Sequence, residues 1–110
     1  MDYRKNIKDF LRLHLLGSEN KEVRARFIEA TKISDESIKQ YTAPSSKIAP
    51  PFEKLPEIAE FFNVTLYDLY GIKNPDNLTP EYRRLFKAME DNPSNADLVF
   101  KMFDIVRDKN

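Results

Sequence analysis

Ile33-Ser34-Asp35-Glu36-Ser37-Ile38-Lys39-Gln40-Tyr41 is the stretch on which the fold turns. Ser34 is a natural N-cap, because its hydroxyl can accept from one of the backbone N–H groups that a helix start leaves without an intrahelical partner. The residues after it show one narrow apolar edge, Ile38 and Tyr41 at i and i+3, and are otherwise polar. A helix with so little to bury is predicted to lie at the surface, its outer side chains turned toward a partner. Immediately upstream, Val23-Arg24-Ala25-Arg26-Phe27-Ile28-Glu29-Ala30-Thr31 reads as a second helix with Val23 and Phe27 as its core edge. Two helices joined by a turn of a few residues are therefore expected at the centre of the chain.

Working outward, residues 42–51 hold three prolines and no hydrophobic period, so they form a loop. The next helix must begin near residues 52–55, since Pro56 is tolerated only in a first turn, and Leu55, Ile58, Ala59 and Phe62 form its inner stripe. Thr65 and Asp68 make a capping box for a further helix, with Leu66, Leu69 and Tyr70 inward and Gly71 as its stop. Toward the N-terminus, a helix from about residue 3 to residue 16 buries Ile7, Phe10, Leu11 and Leu15, with Gly17 as a left-handed stop and Ser18 or Asn20 capping the helix that follows. Arg4, Lys5 and Lys8 make the start of that first helix basic, which serves either contact with phosphates or a plain solvated face.

Lys73-Asn74-Pro75-Asp76-Asn77-Leu78 is a linker by composition. Thr79 then caps a helix with Pro80 in its first turn and Tyr82, Leu85, Phe86 and Met89 as its apolar side. A last helix, from about residue 95 to residue 107, carries Leu98, Val99, Phe100, Met102, Phe103, Ile105 and Val106 over more than one face. Either the tail helices fold back on the preceding domain or their surplus apolar surface meets another chain, and the surplus favours the second.

The 110 residues suffice for one compact domain with an appendage, and two glycines are too few for a turn-rich barrel or sandwich. The expected fold is all-α: a five-helix domain over residues 1–73 and a two-helix extension over 74–110.

Together, these motifs resemble the phage repressor and Cro-type (XRE-like) helix-turn-helix family. That family has a turn hydrophobe followed by Ser or Thr, then an Ile and, two residues later, a Gln; Ile33, Ser34, Ile38 and Gln40 match. Its fourth helix ends in an apolar residue, a short turn, Val, and a Ser or Thr opening a fifth helix; Phe62, Asn63, Val64 and Thr65 match. The likeness covers about residues 7–72. Ile28 stands where the family usually has Ala, and Ala43-Pro44 where many members have Gly, so the helix crossing and the exit from the third helix depart from the pattern.

The resemblance implies a repressor-like, sequence-specific regulator of transcription that binds double-stranded DNA as a homodimer, with the helix Ser34 to Thr42 in the major groove. Arg24 aligns with a position that touches the sugar-phosphate backbone, and Lys47 in the following loop is a further phosphate contact or a solvent-exposed charge. Ser34, Asp35, Glu36, Ser37, Lys39 and Gln40 lie along the recognition helix. Gln40 leads among them, because an amide pairs bidentately with adenine N6 and N7. Carboxylates at Asp35 and Glu36 have three possible uses: they favour the positive end of the helix dipole, accept from cytosine N4, or meet a basic protein. We expect Glu36 to read a base and Asp35 to serve the helix start.

A formal net charge of zero weighs against binding by bulk phosphate neutralisation. It supports a second hypothesis, a protein-interaction module such as an antirepressor that kept the fold without DNA binding. Catalysis is not expected: His14 is the single histidine, there is no cysteine, and no Gly-rich phosphate loop is present. No metal, cofactor or small-molecule ligand is expected for the same reasons. The first residues begin no long apolar run and the chain lacks cysteine, so a cytoplasmic protein without a membrane segment is expected.

Overall fold

The computed structural model describes residues 3–73, 76 and 78–109, with side chains as far as residue 103. The described residues form seven α-helices and three short 3₁₀ turns, with no strand among them. The chain is all-α. It divides into two compact units, Asp2–Ile72 and Lys73–Asn110.

The first unit holds α1 (Tyr3–Leu15), α2 (Lys21–Thr31), α3 (Asp35–Thr42), α4 (Leu55–Phe62) and α5 (Leu66–Tyr70). The 3₁₀ turns Ser18–Asn20, Phe52–Lys54 and Pro93–Asn95 are elements that the five-plus-two reading did not contain. Each is closed by two successive backbone bonds to the residue three back, such as Lys54 N to Pro51 O at 2.9 Å and Leu55 N to Phe52 O. Three residues leave no hydrophobic period to read.

Tyr3, Ile7, Leu11 and Leu15 recur every fourth residue, so α1 buries one continuous stripe against α2, α3 and α5. Facing it, α2 buries Phe27, α4 buries Leu55, Ile58 and Ala59, and α5 buries Leu69 and Tyr70. On α3 the inner edge is Ile38 with Thr42, not Ile38 with Tyr41, which is only half-buried. Thr42 is tolerated inside because its hydroxyl donates to Ile38 O at 2.7 Å, leaving no polar atom unpaired.

Two expected helix ends also differ. Gly17 has φ 94° and ψ 153°, outside the left-handed helical region, and opens the 3₁₀ turn instead of closing α1. Asn20 stands at the N-cap position of α2, yet its amide turns back and donates to Leu13 O at 3.0 Å and Leu16 O at 2.6 Å. It therefore satisfies carbonyls at the end of α1. The capping box of α5 forms as expected, and Gly71 ends that helix at φ 86°. A side chain there would collide with the Asn6 amide, which donates to Tyr70 O at 2.8 Å and ties α1 to the end of α5.

The second unit is a helical hairpin of α6 (Pro80–Asp91) and α7 (Ala96–Lys109), with Thr79 capping α6 as expected. Phe86 and Met89 are buried against Ala96, Val99 and Phe100, and Phe86 meets Phe100 edge-on at 5.4 Å. Leu98 and Met102, one turn apart on α7, remain 59% and 43% exposed. The linker reading of Asn74, Pro75 and Asn77, and the apolar roles of the Ile105 and Val106 side chains, lie outside the described residues. Among the described residues no helix is long and apolar enough to cross a membrane.

Candidate nucleic-acid interface

The turn between α2 and α3 is stitched from within. Thr31 is buried; its hydroxyl donates to Phe27 O at 2.7 Å and accepts from Ile33 N at 3.2 Å. Lys32 takes the left-handed conformation at φ 62°, and Ile33 is buried as the hydrophobe of the turn. Lys54, from the 3₁₀ turn before α4, donates to Thr31 O at 3.2 Å. Ser34 then caps α3, its oxygen accepting from Ser37 N at 3.1 Å. These bonds fix the angle at which α3 leaves α2 and hold its outer side chains on a firm base.

Along that outer surface Ser34, Asp35, Glu36, Lys39 and Gln40 are exposed, and Ser37 is half-buried with its hydroxyl accepting from Ser34 Oγ at 3.1 Å. Glu36 and Gln40, one turn apart, make no hydrogen bond or ion pair among the described residues. Asp35 is differently placed. Arg24 Nε donates to its Oδ1 at 2.7 Å and Nη2 stands 2.7 Å from the same oxygen, while Lys39 Nζ stands 3.5 Å from Oδ2. Arg24, expected on a phosphate, is thus engaged across the turn, joining α2 to the first residue of α3.

The hydrogen bond from Arg24 holds the Asp35 carboxyl below its ordinary value of 3.8, with the charges of Arg24 and Lys39 acting in the same direction against desolvation. A folded-state pKa below the unfolded one means that the contribution to stability is complete above the ordinary carboxylate range and is lost as pH falls through the folded value. Asp35→Asn should therefore narrow the loss of thermal stability between about pH 5 and about pH 2. Glu36→Gln, which breaks no ion pair, should leave that loss unchanged; equal effects would show that the Arg24 contact does not persist in solution.

The opposite end of α3 is surrounded by cations. An open groove of about 690 Å³ is lined by Arg4, Lys5, Lys8, Arg12 and Lys47, and its one carboxylate, Asp9, pairs with Lys5 at 2.9 Å. Residues 4, 8 and 12 share a face of α1 because they recur at i, i+4 and i+8. Lys8 donates to Ala43 O at 2.7 Å and Ser46 O at 2.5 Å, and Arg12 donates to Thr42 O at 2.7 Å. Both complement the negative end of α3 and set the path of the proline-rich loop. That path brings Lys47 to the groove, where it is exposed and makes no ion pair among the described residues. Arg12 was absent from the expected site, although its spacing from Lys8 was visible in the sequence.

No family model, curated protein or solved structure matches this chain. What the surface can do is decided by its own chemistry. Among the described residues no cluster of His, Cys, Asp or Glu is placed to hold a metal ion. An α-helix with its side chains is about 10–12 Å across, and a B-DNA major groove about 12 Å wide admits one. The unpaired amide of Gln40 and carboxylate of Glu36 are of the kinds that hydrogen-bond to base edges, and the groove beside the end of α3 has the charge that a phosphate strand requires.

Proposed function

We propose that the chain is a sequence-specific, repressor-like DNA-binding regulator of transcription, a homodimer that lays α3 in the major groove. The observation that carries this reading is the combination on α3 of a rigidly capped start, two unpaired outward polar side chains and a cation-lined groove at its end. Gln40 and Glu36 contact bases, and Lys47 with the basic face of α1 meets the backbone of one strand.

Fluorescence anisotropy with pooled random duplex DNA at about 50 and 200 mM salt tests the class, since phosphate contacts make affinity fall steeply with salt. Absence of binding at either salt would reject the reading in favour of a protein-interaction module. On a site selected from the pool, Gln40→Ala should cost about 1–3 kcal/mol and relax the preference at one base pair. Lys47→Ala should weaken all sequences alike and lower the salt slope by about 1. An unchanged preference in Gln40→Ala would show that α3 does not dock in this register.

A further inference from the structure

We infer that Asp35 is an internal counter-ion that occupies the place of a DNA phosphate, holding Arg24 and Lys39 on the domain and keeping both off the backbone of DNA of arbitrary sequence. The inference rests on the DNA-binding reading above and concerns how that surface is regulated. The guanidinium edge that receives a phosphate also receives a carboxylate, so one anion there excludes the other. Here Asp35 Oδ1 already fills that edge at 2.7 Å from both Nε and Nη2, and Oδ2 faces the Lys39 ammonium at 3.5 Å. The Arg24 side chain is only 21% exposed and the Asp35 side chain 51%, so the guanidinium is the more covered partner and an incoming anion must displace or share the carboxylate. The two ends of α3 are thus unlike. Lys47 beyond its end is open to any phosphate, whereas the cations at its start are already neutralised.

Glu36 supplies an internal control. It is the next residue, equally an acid and exposed, but it holds no cation. Asp35→Asn and Glu36→Gln therefore change the net charge identically, and only the first releases Arg24 and Lys39.

The experiment measures the affinity of the full chain for pooled random duplex over a salt series. Each added phosphate contact steepens the plot of log K against log salt by about 0.9. Asp35→Asn should bind random DNA about tenfold or more tightly at low salt and steepen the slope by about 1–2. Glu36→Gln should leave the slope within about 0.5 of the wild type, and Arg24→Gln added to Asp35→Asn should remove about half of the gain or more. Arg24→Gln alone, which retains Asp35, should leave the random-DNA slope unchanged, so the inference stays testable even where Asp35→Asn impairs folding. It is overturned if Asp35→Asn and Glu36→Gln shift the slope together, if a folded Asp35→Asn matches the wild type, or if Arg24→Gln alone lowers the slope. Failure of every form to bind duplex at any salt would instead overturn the DNA-binding reading, and this inference with it.

Discussion

Phe27→Ala should cost about 3–5 kcal/mol of unfolding free energy, a large share of what a small domain possesses. Phe27 is 1% exposed and is the single large apolar side chain that α2 buries completely. Its ring meets Phe61 edge-on at 5.4 Å and lies over Phe62 at 5.7 Å, so removing it opens a cavity between α2 and α4. The remaining rings belong to the end of a short helix that cannot close the space without leaving α1, where Phe62 also meets Phe10 at 5.2 Å. Denaturant unfolding followed by circular dichroism measures the effect, with Phe27→Leu as the volume-retaining comparison that should cost clearly less. A loss below about 1 kcal/mol in Phe27→Ala would mean that α2 is held by its ends and not by this ring.

Under the proposed homodimeric reading, the full chain should sediment as a dimer at tens of micromolar, and Leu98→Glu combined with Met102→Glu should sediment as a monomer. Leu98 and Met102 are spaced i and i+4 on α7 and exposed, whereas Val99 and Phe100 are covered within the hairpin. A carboxylate at the exposed positions leaves the hairpin core intact. Buried in an interface without a partner it costs about 3–5 kcal/mol, which weakens association more than about a hundredfold. Sedimentation velocity distinguishes the outcomes directly: a wild-type chain that stays monomeric at these concentrations would remove the homodimer from the proposal. Truncation before Asn74 should have the same effect as the double substitution while sparing the first unit.

Much of the helical framework was legible in the residues because its determinants are short-range. Ser34, Thr65 with Asp68, and Thr79 with Pro80 announce helix starts through bonds that span three residues, and the stripe of Ile7, Leu11 and Leu15 follows from helical geometry alone. The all-α class and the exposed outer surface of α3 were determined at that level. Tertiary structure decided where polar groups found partners. Asn20 serves the helix behind it because the turn at Gly17 brings the end of α1 back within reach. Thr42, not Tyr41, enters the core because of the side on which α3 is covered, and its hydroxyl is then satisfied locally by Ile38 O. Arg24 meets Asp35 across eleven residues, and Lys8 reaches the carbonyls of Ala43 and Ser46 across 35 and 38. Such pairings depend on the angle and distance at which α1, α2 and α3 cross. Those are set by the whole core, and no local pattern of residues encodes them.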